Sequence, residues 1–271
     1  PHAGADPKPF PARRVRVTQS GYSSVAFAVG KALFFISPDP QKGVLMADDR
    51  TDEIPPSSAV DERSVPPEAG DAHGISMPAA CREAVAAGID VLGENRVQEA
   101  MHKQEVLPKR GHWHLIGHLQ TNKAKHAVEH FDLIESADSA KILTHLDRAA
   151  KQVGKVQDVL LQINEAGESQ KSGFQPADFR AIVKTLDAYP HLRVRGVMVI
   201  AQATDQVEET RPVFRAGYED FLFLRDALKH EDVNILSMGM THDYWIAVEE
   251  GANEIRVGSA LFGARDYTLK F

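Results

Sequence analysis

A chain of 271 residues, 43% hydrophobic and 25% charged, has the composition of a soluble globular protein large enough for one sizeable core. Its formal net charge of -7 argues against a nucleic-acid partner, because phosphate backbones select basic surfaces. One cysteine, Cys81, excludes an intrachain disulfide framework, fits a reducing compartment and reads as a buried core thiol.

Residues 1–20 are irregular and carry several basic side chains. The apolar run Val25–Ile36 is too short to span a bilayer and contains Lys31, so no membrane contact and a cytoplasmic location are expected. The segment 24–36 is strongly β-prone. Residues 38–71 are rich in Pro, Asp, Glu and Ser and too poor in apolar groups to offset their ordering entropy, which predicts a linker or disorder. Residues 1–72 thus form an irregular N-terminal segment, to which 24–36 could contribute one strand. Residues 73–271 form the domain proper.

From His73 onward strands and helices alternate. A helix is predicted over Pro78–Ala87, with Pro78 in its first turn and Gly88 as its cap. Ile89–Gly93 reads as a strand and Arg96–Val106 as a helix. Trp113–Gly117 is the next strand, followed by a helix over Asn122–His130. The strand Leu133–Ser136 leads, behind Asp138 as N-cap, into a long amphipathic helix over Ser139–Val153. Strand Val159–Asn164 precedes helix Pro176–Ala188. Strand Val194–Ile200 precedes helix Thr210–His230, whose Phe214, Tyr218, Phe221 and Leu224 recur at helical steps. Strand Ile235–Met240, helix Asp243–Glu250 and strand Glu254–Val257 complete the series.

Such βαβα alternation predicts parallel strands covered by helices. Seven strands follow residue 88, and a closed (β/α)8 barrel needs eight. The missing first strand is either 24–36 or the weakly strand-like residues before Pro78. A doubly wound open sheet is the alternative, but no Gly-rich fingerprint follows an early strand.

In such barrels chemistry gathers at the carboxyl ends of the strands. There the sequence places Gly93–Arg96, Ile116–Lys123, Asn164 with Glu165, Ser237–Thr241 and Gly258–Ala260, which are mostly small and polar. The segment IRVGSALFG (255–263) is the sharpest signal. Gly258 and Ser259 open a turn whose backbone N–H groups and hydroxyl suit a phosphate, and an ordinary strand-to-helix turn is the alternative. Arg256, inside the last strand, needs a partner: either a neighbouring carboxylate or a ligand ring atom. His114 reads as a satisfied core histidine. The other histidines lack metal-ligand spacing, and Asp132, Glu135 and Asp138 read as a solvated charge cluster.

Seven collinear blocks carry a resemblance. LGENRVQEA (92–100), WHLIGHLQTNKAK (113–125), IESADS (134–139), LLQINEAGESQKSGF (160–174), VRGVMVI (194–200), LSMGMTHD (236–243) and IRVGSALFGARDY (255–267) resemble the pyridoxal phosphate homeostasis proteins. That family has the fold of the alanine-racemase N-terminal barrel. The resemblance implies a single-domain, non-catalytic barrel that binds pyridoxal 5′-phosphate (PLP), and buffers or delivers it to PLP-dependent apoenzymes. A monomer is expected. By the same resemblance Arg256 faces the pyridine nitrogen. Gly258, Ser259, Ser237 and Thr241 surround the phosphate, and Asn95 lines the ring with Met240 packed nearby. After Met240 the family often has Ser then Asp, where this chain has Thr241, His242 and Asp243.

The family's imine-forming lysine ends the first strand in a motif like AVSKT. The corresponding position falls at about residues 71–75, where Gly74 replaces the lysine. Two readings follow. SVAFAVGKALFF supplies the first strand with Lys31 as the lysine, or residues 1–72 are foreign to the family and the lysine is absent. A racemase-like enzyme is a further alternative. It needs Lys31 in the pocket and a second acid/base group, for which the sequence offers no strong candidate.

Overall fold

The computed structural model describes residues 25–29, 32–36, 44–46, 81, 89, 91–107, 111–167 and 172–259. They form two sheets. The smaller is an antiparallel ladder of β1 (Val25–Val29), β2 (Ala32–Ile36) and β3 (Val44–Met46). The larger has seven strands: β4 (Val91–Glu94), β5 (His112–Leu115), β6 (Leu133–Ala137), β7 (Gln157–Ile163), β8 (Leu192–Val199), β9 (Ile235–Met240) and β10 (Glu254–Arg256). These are neighbours in chain order, and every pair is parallel. They curve into a nearly closed (β/α)8-type barrel, and among the described residues no strand stands between β10 and β4.

Two expectations for the N-terminal segment are corrected here. Residues 24–36 do not form one barrel strand: β1 and β2 pair with each other, and neither joins the seven-stranded sheet. Val29 pairs with Ala32, so only the dipeptide Gly-Lys separates the strands. A two-residue connection led by Gly has hairpin chemistry, which reverses the chain where a barrel strand would run on. Likewise β3 lies inside the stretch read as a linker. Lys31 itself, the stretch at 71–75 and most of the helix expected over 78–87 lie outside the described residues. Of that helix Cys81 is described, helical and buried as expected.

The covering helices are α1 (Val97–Val106), α2 (Ala124–His130), α3 (Ala140–Val153), α4 (Pro176–Val183), α5 (Arg211–Leu228) and α6 (Tyr244–Glu249). In α3 the buried residues Ile142, Leu143, Leu146, Ala149 and Ala150 repeat at three- and four-residue steps, the stripe a sheet-covering helix needs. Its cap is Ser139 rather than Asp138: the Ser139 hydroxyl accepts from the Ile142 N–H at 3.3 Å, and Gly154 closes the helix in the left-handed region. The segment expected as one helix over 176–188 splits into α4 and a 3-10 turn at Leu186–Ala188.

Strand alternation sorts the barrel residues into two sets. Ile134, Val159, Leu161, Val197, Val199, Leu236 and Met238 join the core that packs against the helices. Leu133, Leu160, Met198 and Ile235 form a separate cluster with Ile200, on the opposite face of the sheet. Continuing that inner face by two residues along β6, β7 and β9 gives Glu135, Gln162 and Ser237, all buried. The barrel interior is therefore apolar at one level and polar at the next, nearer the carboxyl ends.

Candidate functional site

At the carboxyl ends of β9 and β10 the backbone opens to solvent. Met240, Gly258 and Ser259 are exposed, and Thr241 is half-buried. The Ser259 hydroxyl donates to Thr241 Oγ1 at 3.2 Å, which places the two strand ends on one rim. A methyl group built onto Gly258 would meet no atom within 4 Å, so this backbone borders free space. Asp243 fixes the bend leaving β9 by accepting the Met240 N–H at 2.6 Å. Just before this bend, within β9, Gly239 has a φ of 93° in the glycine-favouring region. A side chain there would also strike the Ala247 methyl at 2.6 Å.

Arg256 lies just inside this rim, on β10. Its Nη1 donates to Ser237 Oγ at 2.6 Å and its Nη2 to the carbonyl of Val199 at 2.8 Å. Ser237 donates in turn to Glu135 Oε2 at 2.6 Å, and the same carboxylate oxygen lies 3.9 Å from Arg256 Nη1. The Ser237 hydroxyl is fully buried and spent on these two partners. It holds the guanidinium one layer beneath the rim.

Behind Glu135 sits a second layer of the network. His114 Nδ1 lies 3.0 Å from Glu135 Oε1 and 3.6 Å from Glu254 Oε1. Burial works to drive the proton off His114, but hydrogen bonds and charge from both carboxylates outweigh it and raise its pKa to about 10. Burial pushes Glu135 upward, and His114 and the charge of Arg256 overcome this, holding it well below the usual carboxylate range. Glu254 goes the other way. Burial, then the charge of Glu135, raise it to about 7, and its Oε1 has no hydrogen-bond partner. Burial lowers the pKa of Arg256 while Glu135, Glu254 and Asp243 oppose that shift.

The three atoms of His114, Glu135 and Glu254 approach one another within 4.8 Å, close enough to chelate a cation. Arg256 already stands beside Glu135 as a fixed positive charge, and the two carboxylates favour the protonated form of His114. The expectation of a solvated acidic cluster holds for Asp132, whose side chain is 57% exposed, and is corrected for Glu135 and Asp138. Glu135 is 1% exposed, and the Asp138 carboxylate is buried against His118 Nδ1 at 2.9 Å.

A cavity of about 250 Å³ is bordered by Asn95, Gly117, His118, Asn164, Ser172 and Ile200, which follow the ends of β4, β5, β7 and β8. Asn95 borders this open space. Gly117 packs so tightly on it that any side chain at Gly117 would overlap the Asn95 backbone carbonyl. Ile200 connects the cavity to Arg256, since the guanidinium binds the carbonyl of the preceding residue, Val199.

The structure therefore gathers Thr241, Gly258 and Ser259 on one rim, with Arg256 and Ser237 beneath and Asn95 on the cavity wall. Lys31 is outside the described residues. Glu135 and Glu254 were missed as site residues, and His114 was read only as core. No local signal marked them, because the three come together only across separate strands, β5, β6 and β10.

Comparison with known proteins agrees with this fold. Residues 70–266 match the alanine racemase N-terminal domain family. A pyridoxal phosphate homeostasis protein of Haemophilus influenzae is 39% identical over 185 residues, covering 67% of this chain and 78% of the relative. One of Aquifex aeolicus is 40% identical over 195 residues, covering 70% and 83%. Among solved structures, PipY of Synechococcus elongatus with PLP bound is 43% identical at a TM-score of 0.63, covering 69% of this chain and 87% of that one. Alanine racemase of a D-cycloserine-producing Streptomyces lavendulae, 21% identical at a TM-score of 0.55, shares the fold.

Proposed function

The chain belongs to the pyridoxal phosphate homeostasis proteins of the alanine racemase N-terminal domain family, and from that membership we propose that it binds PLP and serves intracellular vitamin B6 balance as a non-catalytic carrier. The observation that carries this reading is the convergence of the β9 and β10 ends. The paired hydroxyls of Ser259 and Thr241 and the open backbone at Gly258 suit a phosphate, and Arg256 stands next to them on β10. On this reading the guanidinium faces the pyridine nitrogen, and Asn95 and Met240 border the ring. When bound, PLP supplies an aldehyde that condenses reversibly with amines. The residues of this chain bind and orient it. Lys31 remains the candidate for covalent anchoring, while β1 and β2 pair away from the barrel. Apoenzymes that need PLP are the proposed recipients, with a cytoplasmic monomer as the working state. Among the described residues no helix is long and apolar enough to cross a membrane.

Equilibrium dialysis of PLP against the full chain tests the reading. Saturable binding that falls on replacing Arg256 supports it, and the absence of saturable binding refutes it. Borohydride reduction with peptide mapping then decides the anchor. A label on Lys31 establishes that residue, and binding without a label establishes phosphate and ring contacts alone. Turnover in an amino-acid racemization assay would overturn the non-catalytic assignment.

A further inference from the structure

The inner polar layer of the barrel has an arrangement that packing alone does not require. Four ionisable side chains from three strands meet there. Glu135 divides its two oxygens, Oε1 toward His114 and Oε2 toward Ser237 and Arg256. Both Glu135 and Ser237 are essentially inaccessible to solvent. Removing two carboxylates, an imidazole and a guanidinium from water is expensive, and such groups persist only when each is paired. Three of the four are also hydrogen-bonded. Glu254 Oε1 has no hydrogen bond and lies 3.6 Å from His114 Nδ1. A proton on Glu254 therefore decides how His114 is shared between the two carboxylates, and how much of the Glu135 charge falls on Arg256.

We propose that Glu135 is the positioning residue of the cofactor site, holding the Arg256 guanidinium through Ser237, and that Glu254 is the proton carrier that sets the strength of this hold. The proposal rests on the assignment of Arg256 to the cofactor. With Glu254 protonated, His114 is bound to Glu135 and takes up much of its charge, so the Arg256 guanidinium keeps its positive field for a ligand. With Glu254 ionised, His114 is drawn between two anions. Glu135 then bears more heavily on Arg256, and the field at the rim weakens. The charged groups facing Glu254 are His114 on β5, Glu135 on β6 and Arg256 on β10, while Asp243, before α6, acts on Arg256. Burial and the Glu135 charge bring the Glu254 transition to about pH 7, so the device works near neutrality.

The test measures PLP affinity and the absorbance of bound PLP from about pH 6 to about pH 9 for the full chain and for Glu135→Gln, Glu254→Gln and Ser237→Ala. Glu135→Gln is expected to weaken PLP at least about tenfold and to shift the absorbance of the bound ring, because a charge-assisted anchor of Arg256 is lost. Glu254→Gln is expected to bind PLP as the parent does at the acid end, without the parent's extra loss of affinity above neutrality. If Glu135→Gln does not fold, Ser237→Ala removes the relay while leaving both charges, and it must show the same spectral shift with a smaller loss of affinity. Identical pH profiles for the parent and Glu254→Gln overturn the proposal, as does an unchanged spectrum in both Glu135→Gln and Ser237→Ala. A ligand-free measurement separates this from failure of the PLP assignment. Infrared difference spectra should show a protonated carboxyl band that fades as pH rises through about 7 and is missing from Glu254→Gln. No PLP binding with that band present refutes the cofactor assignment and the role of Glu135 in it, but retains the proton site. PLP binding without the band refutes the proton carrier alone.

Discussion

Ser259 donates a hydrogen bond to Thr241 across 3.2 Å, and this one contact joins the carboxyl ends of two strands at a single rim. Because Ser259 is exposed and Thr241 half-buried, removing either hydroxyl should leave the fold intact. Ser259→Ala and Thr241→Ala are each expected to cost about 1 kcal/mol of PLP binding, roughly fivefold in affinity, from one lost hydrogen bond. Calorimetric titration with PLP and with inorganic phosphate checks this. An equal loss for both ligands places the effect at the phosphate.

Arg256 carries a structural duty besides its proposed one. Arg256→Met removes the cation beside Glu135 and leaves the Ser237 hydroxyl with one partner fewer. Breaking a buried pair from one side costs about 3–5 kcal/mol, so urea unfolding should shift by that order. Arg256→Lys keeps the charge but cannot reach Ser237 and the Val199 carbonyl with the same planar fork, and should fall between the two.

Gly117 is fixed by a backbone, not by a flexible side chain. Gly117→Ala forces its new methyl against the Asn95 carbonyl, so β4's exit must move. A destabilisation of about 1–3 kcal/mol is expected, typical of overpacking, with weaker PLP binding because Asn95 is displaced. Thermal unfolding and dialysis read the two effects separately.

The buried network also predicts how stability depends on pH. Glu135 has a depressed pKa, so its contribution is present above the ordinary carboxylate range and is lost as pH falls through its lowered value. His114 has a raised pKa, so its contribution is full below 6.5 and is lost as pH rises toward about 10. Glu254 is raised to about 7, so the folded state also gives up stability between about 4.5 and about 7 as that proton leaves. The parent's resistance to chemical denaturation should therefore weaken toward alkaline pH, and His114→Gln should flatten the part of that decline between neutrality and about pH 10.

Much of the barrel was legible because each βα unit announces itself locally. The 3.6-residue stripe of α3 and the apolar runs of β7 and β8 needed no tertiary information. The rim was legible for the same reason, since Gly258 and Ser259 follow directly on a strand. The buried layer was not. Glu135 meets His114 and Ser237 only after the sheet has curled, and no window of sequence contains all three. Asp132, Glu135 and Asp138 looked alike as a charge cluster, yet the position of each relative to the strand decides its fate, with Glu135 turned inward and Asp138 capped by His118. Segment 24–36 misled because β propensity does not specify a partner strand. Its Gly-Lys dipeptide was the local sign that the chain turns back.

The contact of His114 with Glu254 spans the barrel from β5 to β10, near opposite margins of the seven-stranded sheet. Such a link cannot form until almost every intervening unit has been added, so it has a high loop-closure cost and belongs late in assembly. Refolding of the parent should therefore outpace formation of this tie, and weakening it should accelerate unfolding far more than it slows folding.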